Sequence, residues 1–525
     1  MGGANARILS EAESGSESIP TPIPTPIPRA DAGDQISAPA GLVLGGGVWQ
    51  SVGTMMTTER KKFAVIGGGI SGLAAALHLR ELRPEAVVTL FEGEGRLGGV
   101  LETVARDGYL FEGSADGFIT NVPWGIEFCQ RVGLADELMT TDESRRQAFV
   151  VSRGKLQAIP KGFVIMVPHK IKAVLASPIL SMGGKIRLLR EYSLSPRVET
   201  TDESVGAFAT RRLGREAYER LVQPLVGGIY SADPMRLSLA ATMPQFAKME
   251  QEKGGLIRAA RAARGPGGVV QEKSSGARYS MFASLRRGMG SLVEAAQKKL
   301  PAEAVRLNSR VTKIERVGER GAWRVFAGRG GEGEVFDGVI LATPGPATVP
   351  LLKSLHPTLA GAIGEIDYAG TAVVSVCYRR EQIKHALDGF GFVSPFIEKR
   401  AILAGSFLSQ KYEGRAPAGQ VLIRVFVGGA THPESVTLPE MELRSMVHGE
   451  LAELLGITGG PVAHQVSRWE RKMPQYHVGH MERVAGIEQA AATLPGFALA
   501  GNAYRGVGVP ACIHSGEVAA ERVVG

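Results

Sequence analysis

Gly67, Gly69 and Gly72 stand in the spacing G-x-G-x-x-G, and Glu92 follows about twenty residues after the last of them. These residue types at this spacing fit the binding of a pyrophosphate-bridged dinucleotide. Gly67 permits a sharp turn, Gly69 lets main chain approach phosphate oxygens, and Gly72 lets the following helix touch the preceding strand. Gly68, Ile70 and Ser71 complete the turn, where the amides of a helix N-terminus face an anion. Glu92 can accept hydrogen bonds from both hydroxyls of an adenosine ribose, and its charge repels a 2′-phosphate, which disfavours NADP. A second glycine pair, Gly98-Gly99, lies in EGEGRLGGV (92–100), flanked by Arg96 and Val100. A guanidinium at Arg96 would offer phosphate a countercharge of fixed geometry. Near the C-terminus, LAGNAYRGVGVPACIHSG (499–516) is glycine-rich yet apolar, unlike a solvated tail. Gly501, Val507, Gly508 and Val509 read there as bare main chain packed against a ligand.

Other chemistries are poorly provided for. No paired carboxylates and no Ser/His/Asp arrangement stand at a plausible site. Cys129, Cys377 and Cys512 are far apart, odd in number and never spaced C-x-x-C, which argues for a reducing compartment and against a disulfide frame or zinc site. His477 and His480 in HVGH lack a third ligand at workable spacing, so structural histidines and no metal are expected. A redox cofactor that carries the reaction, with protein groups that orient, fits this inventory.

The elements that must position these residues are legible as patterns. FAVIG, LAAALHLREL and AVVTLFE read as strand, small-residue helix and strand around the first glycine turn. MFASLRRGMGSLVEAAQKKL (281–300) reads as a loop entering an amphipathic helix, and VRLNSRVTKIERV (305–317) alternates like strands. FDGVILATP (336–344) is a buried strand, and CIHSGEVAAERVV starts a helix. AGTAVVSVCYRR (369–380) and GQVLIRVFVGG (419–429) read as strands of a second, antiparallel sheet. Upstream of both, PKGFVIMVPHKIKAVLASPILSMGGKIRLLREY (160–192) is helical and basic through Lys161, Lys170, Lys172, Lys185 and Arg187. A solvated helical face and a face lying on anionic lipid weigh equally for it.

The 525 residues, 44% hydrophobic, can bury a large core, and the net charge of +8 suits an acidic ligand or an anionic membrane surface. No dense Lys/Arg stripe with interleaved aromatics speaks for nucleic acid, and no apolar run reaches the roughly 18–20 residues that a membrane span needs. Residues 1–56, with IPTPIPTPIP (19–28) and EAESGSES (11–18), read as a disordered extension, or as chain upstream of a start at Met55 or Met56. A cytoplasmic protein, free or peripheral at the inner face of the membrane, and either monomer or homodimer, is expected.

From residue 61 onward the chain resembles the flavin-containing amine oxidase superfamily, and within it the porphyrinogen oxidases of the bacterial soluble type. The resemblance is carried by the two glycine turns, YLFEGSADGF (109–118), LVQPLVGGIYSADPMRLSLAATMPQF (221–246), DGFGFVSP (388–395), GRAPAG (414–419), VFVGG (425–429), RWERKMPQYHVGHMERV (468–484) and the closing glycine loop. It implies a fold that combines α/β and α+β. A discontinuous Rossmann-like FAD-binding domain (57–119, 281–349 and 466–525) carries an inserted helical subdomain (120–237) and an inserted mixed-sheet substrate domain (238–280 and 350–465). FAD is held non-covalently, since Cys512 does not match the family's covalent anchor. Ser114, Ala115, Asp116 and Gly117 match the segment beneath the isoalloxazine, with Ser114-Ala115 where the family usually has Gly-Pro. Val311 matches a valine whose main chain bonds adenine.

The resemblance also implies the reaction. The flavin N5 accepts hydride from a porphyrinogen, and oxygen is the final acceptor. Protoporphyrinogen IX oxidation in haem synthesis is the first reading, with coproporphyrinogen III oxidation as its alternative. An amine oxidase or carotenoid desaturase-like flavoenzyme, and a non-catalytic escort protein on the same fold, are more distant ones. No protein acid or base is assigned; the Gly227 carbonyl, in a loop or plain turn, is the candidate near the pyrrole N–H groups. Phe390, Gly391 and Val393 match an apolar pocket, and Tyr412 an aromatic that stacks on a pyrrole. Arg145 or Arg146 stands nearest the position of the family's propionate anchor.

Overall fold

The computed structural model describes residues 60–145, 147–199, 201–263, 281–318, 321–328 and 332–525. The extension 1–56, the candidate starts Met55 and Met56, and Arg146 lie outside the described residues. The first strand, β1 (Lys62–Ile66), leads through the glycine turn into α1 (Ile70–Leu82) and then β2 (Val87–Phe91). All pairings of this sheet are parallel, and its order is Val305–Arg306, β2, β1, Gly338–Leu341, Phe497–Leu499. Five strands from three separated stretches of chain thus make one sheet, which is why their runs are continuously apolar: Ala64, Val65, Val339 and Ile340 are fully buried because both faces are covered.

Small residues set the spacing of the covering helices. Ala74, Ala75 and Ala76 of α1 are fully buried. The C-terminal helix Val509–Val524 crosses α1 at Gly516, where any side chain would overlap the Ser71 carbonyl oxygen. Helix Gly290–Lys298 adds Leu292 and Val293 to the same core.

The second sheet has seven strands in the order Ala463–Pro474, Tyr368–Arg379, Gln420–Gly428, Ala404–Phe407, Gly391–Val393, Ala148–Ser152, Lys155–Ala158. One pairing, Gly391–Val393 with Ala148–Ser152, is parallel and the rest are antiparallel. Alternation along Gln420–Gly428 divides its side chains. Val421, Ile423, Val425 and Val427 pack on helix Glu440–Leu455 through Leu443, Val447 and Leu451. Leu422 packs the other way, with Tyr109, Phe111 and Tyr412.

The helical lobe has its own core of Phe208, Leu213, Leu221, Val226, Phe246 and Leu256. Two expected boundaries are corrected here. The hairpin 148–158, placed by sequence in the helical insertion, belongs to the seven-stranded sheet, because its partner strand lies far along the chain and leaves no local trace. Helices Pro244–Lys253 and Leu256–Ala262, placed with the substrate sheet, pack into the helical lobe through Phe246, Leu256 and Ile257. Among the described residues no helix is long and apolar enough to cross a membrane.

Candidate functional site

The residues singled out at 67, 92 and 501 sit at the C-terminal ends of neighbouring parallel strands, where open α/β sheets bind ligands. Main-chain bonds at these ends hold the loops together: the Gly67 amide donates to Phe91, Ala342 to Ile66 and Ala500 to Leu341. Gly67 has φ +109°, and a Cβ there would lie 2.7 Å from the Ala342 carbonyl oxygen. At Gly72 a Cβ would overlap the Gly67 carbonyl oxygen itself, so α1 touches the turn. Gly69 is different. A Cβ at Gly69 meets nothing within 4 Å, and the same holds at Gly501.

Bare main chain facing open space is what close approach to a ligand needs. Gly69 caps α1 and Gly508 caps the C-terminal helix, neither with a side-chain cap bond, so first-turn amides of two helices are left for an anion. The two halves meet through Cys512. Its thiol contacts the Gly506 and Val507 carbonyls at 3.9 and 3.8 Å and bonds the Ser71 side chain on α1. Burial pushes that thiol up to about 12, with the Ser71 bond opposing. Val509 is buried, and Val507 packs toward the helical lobe.

The Glu92 carboxylate accepts from the Gly68 amide (Oε2, 2.8 Å) and from the Glu94 amide (Oε1, 2.8 Å). Each oxygen keeps a lone pair for a ribose hydroxyl. Val311 lies close by, since Ser309 N donates to the Glu92 carbonyl at 2.7 Å and Gly93 approaches Arg310. The second glycine pair is stitched onto the first: Gly98 N donates to Gly68 O at 2.8 Å, Gly98 bridges Gly69, and a Gly99 Cβ would lie 3.4 Å from the Gly69 Cα. Val100 continues this loop through its carbonyl, which accepts from the Ser114 hydroxyl at 2.6 Å. Arg96 braces the loop as well: its guanidinium bonds the carbonyls of Leu97, Leu101 and Gly99 and pairs with Glu102 at 3.3 Å.

Ser114–Gly117 is held in place by buried charges. Asp116 is an ion-pair hub, 3.1 Å from Lys411 Nζ and 3.2 Å from Arg424 Nη1. Burial pushes its carboxyl up, but Lys411 and Arg424 outweigh this and hold it below the usual range. Arg424 also donates to the Ser114 carbonyl, and Trp469 Nε1 donates to Gly113 O at 2.7 Å. Ala115 packs against the core of the cofactor lobe, and a Cβ at Gly117 would lie 2.6 Å from the Ala283 carbonyl oxygen. Sequence reasoning missed Lys411, Arg415 and Arg424. The available signal was an arginine inside the apolar run VLIRVFV, since a charge at such a position is buried and needs a partner. Arg415 is fully buried and donates to Ser284 Oγ and to the Leu285 and Arg286 carbonyls.

On the substrate side, the residues come together with two corrections. Gly227 lies in helix Gln223–Tyr230, in its last turn, and not in a turn or loop; the glycine pair hid a helix that tertiary packing stabilises. The C-terminal carbonyls of a helix lack obligatory intrahelical partners. A Gly228 Cβ would lie 3.5 Å from Val393, and a Gly227 Cβ 3.9 Å from Phe396. Phe390 is half-buried, with its amide on Gln147 O at 2.7 Å. Gly391, at φ +148°, is required because a Cβ would overlap Gly405 O. Tyr412 is 3% exposed in a core with Tyr109, Phe111 and Leu408, which leaves no free ring face for a pyrrole. Arg145 is exposed and paired with Asp142 at 3.2 Å.

The profile described as flavin containing amine oxidoreductase matches residues 70–524. The chain belongs to that family. As a flavin-containing amine oxidoreductase it is an oxidoreductase with FAD as cofactor, and the open Gly69 and Gly501 positions with two uncapped helix starts fit that group. Coproporphyrinogen III oxidase of Bacillus subtilis (strain 168) is 32% identical over 88% of this chain and 98% of its own length. The mitochondrial protoporphyrinogen oxidase of Nicotiana tabacum is 30% identical over 90% and 97%. A solved structure from Exiguobacterium sp. 255-15, assigned to protoporphyrinogen oxidation, superposes with a TM-score of 0.78 at 30% identity, covering 88% of this chain and 98% of that one.

Two predictions arise here. Replacing Glu92 with alanine removes the acceptor of two loop amides and the expected acceptor for the ribose. Flavin content after gel filtration should fall at least about tenfold in retention constant, since a charge-assisted hydrogen bond contributes roughly 1.5–3 kcal/mol; flavin content equal to wild type would refute the assignment. The second concerns pH. Burial holds His480 and His477 below the ordinary histidine value of 6.5. A lowered folded-state value means that the unfolded chain binds more protons, so this stability is complete above about 6.5 and is lost as pH falls through the folded values. Melting temperature should decline below about pH 6.5, less steeply in His480→Gln; identical slopes in the two proteins would rule out the His480 contribution.

Proposed function

We propose that this chain oxidises a porphyrinogen to the aromatic porphyrin, six electrons leaving in three two-electron steps, with three molecules of oxygen reduced to hydrogen peroxide. The observation that carries the reading is the pair of bare glycine stretches, at Gly69 and at Gly501–Gly508, on two helix starts that meet across Cys512 and Ser71. FAD, when bound there, supplies the two-electron acceptor. The protein's own contribution is orientation: Val393 and Phe396 form an apolar wall beside the Gly227 helix turn, whose carbonyls can accept from pyrrole N–H groups. Arg145, exposed near Phe390, is a candidate for a substrate carboxylate.

Protoporphyrinogen IX is the substrate inferred from sequence motifs. Coproporphyrinogen III is a second reading, favoured by the Bacillus subtilis relative that this chain matches over 98% of its length. The test is turnover of each porphyrinogen by the purified flavin-loaded protein, with porphyrin fluorescence and oxygen consumption recorded together. Fluorescence rising no faster than spontaneous oxidation with both substrates would end the proposal, and the faster of the two decides between them. Peripheral contact with an anionic membrane surface is supported by Leu175, Met182 and Ile186, which are 40%, 68% and 57% exposed beside Lys172 and Lys185.

A further inference from the structure

The HVGH segment, set aside as a metal site, has a different use in the fold. Between Leu499 and Val509 the chain lacks regular secondary structure and carries two glycines at positive φ, Gly501 (+125°) and Gly506 (+157°). Such a loop is free to take many shapes, whereas a cofactor cradle needs its amides fixed in advance.

Ser515 Oγ accepts from the Gly501 amide at 3.0 Å, and three further side-chain bonds from outside the loop come from Tyr476 and His480. The Tyr476 hydroxyl donates to the Asn502 carbonyl at 2.5 Å and accepts from the Gly506 amide at 2.9 Å, so one oxygen spans both ends of the loop. His480 Nε2 donates to the Tyr504 carbonyl at 2.9 Å between them. The two rings stack at 3.9 Å with 15° between planes. They are 2% and 0% exposed, so water does not compete for these bonds. The base of the clamp is tied down in turn: Ser238 N donates to Tyr476 O at 2.7 Å, Val478 N to Arg236 O at 3.0 Å, and Gln475 N to Asp367 O at 2.8 Å.

His480 Nδ1 is buried without a hydrogen-bond partner. An aliphatic side chain would fill this space without leaving a ring nitrogen unpaired, which costs free energy. What sets histidine apart from an aliphatic side chain here is the bond made by its other nitrogen. We infer that Tyr476 and His480 are positioning residues that hold the loop 501–509 in its cofactor-facing shape through Asn502, Tyr504 and Gly506. The inference rests on the reading that this loop lines the FAD site.

The test follows flavin release when the flavin-loaded full-length protein is diluted, with free-flavin fluorescence as the signal, for wild type, Y476F, H480L, H480Q and E92A. Circular dichroism melting of each variant is recorded alongside. Glutamine can present an amide where Nε2 lies and leucine cannot, so H480Q is the rescue variant. Release is expected to quicken about tenfold in Y476F and H480L and less than about threefold in H480Q, with melting temperatures close to wild type. Unchanged release in Y476F and H480L beside fast release in E92A would overturn the inference and leave the cofactor reading standing. Equal release in H480Q and H480L, both with lowered melting, would also overturn it in favour of simple packing. Wild-type release in every variant, E92A included, would bring down the cofactor reading too. If Y476F does not fold, the two His480 variants decide alone.

Discussion

Alanine at Gly69 should leave a folded protein that has lost its flavin, whereas alanine at Gly72 should cost the fold itself. The two glycines belong to one motif and stand three residues apart, so the contrast isolates what each is for. A Cβ at Gly69 meets nothing within 4 Å, and its φ of −68° with ψ of 176° is open to any residue. Exchange of the helix cap from glycine to alanine should cost no more than about 1 kcal/mol. The added methyl group does, however, stand where main chain must approach a pyrophosphate. Overpacking a tight contact costs about 3 kcal/mol, or roughly two orders of magnitude in flavin affinity. At Gly72 the methyl group would overlap the Gly67 carbonyl oxygen and lie 3.4 Å from the Ala342 side chain. Neither neighbour is a flexible side chain, so α1 has to move off the sheet, again at about 3 kcal/mol or more. Circular dichroism melting and bound-flavin absorbance, measured on both variants, decide the matter. A G69A protein with a full complement of flavin would refute the assignment of the open position to the cofactor.

The same contrast explains what was legible in the sequence. Gly67, Gly69, Gly72 and Glu92 could be read because their spacing follows from a strand, a turn and a helix that are adjacent in the chain, and local geometry fixes their roles. The terminal loop could be read because apolar glycine-rich sequence is anomalous at a chain end. Tyr476, His480 and Arg424 could not be assigned a contact, since each acts on main chain that is remote in sequence: Asn502, Tyr504 and Ser114. The bonds of Arg96 to the Leu101 and Gly99 carbonyls were not legible either, because they depend on the path of the loop and not on its spacing. Gly227 and Tyr412 show propensity giving way to packing. The glycine pair in PLVGGIY suggests a turn, yet burial of Pro224 and Val226 in the helical lobe keeps it helical.

Arg212→Met should unfold the helical lobe at a much lower urea concentration than wild type. Arg212 and Glu191 are both fully buried. Arg212 Nε donates to Glu191 at 2.9 Å, Nη2 donates to the same carboxylate, and Nη1 reaches Glu250 at 3.2 Å. Glu191 further accepts the amides of Leu256 and Ile257 at 2.7 and 3.0 Å, so it caps the helix Leu256–Ala262. Removal of the arginine strands Glu191 in an apolar core, and loss of one partner of a buried pair costs about 3–5 kcal/mol. Glu250 is less affected because Arg211 holds it as well, at 2.6 and 2.9 Å. The companion E191Q keeps an oxygen for one of the two amides and leaves no unpaired charge on residue 191, so it should cost less than R212M. In the double variant the stranded carboxylate is gone, and most of the loss should be recovered. Urea unfolding followed by helical circular dichroism gives the four free energies. Additive losses in the double variant would show that the two groups act independently, and a loss under about 1 kcal/mol in R212M would show that the lobe is held by its apolar contacts alone.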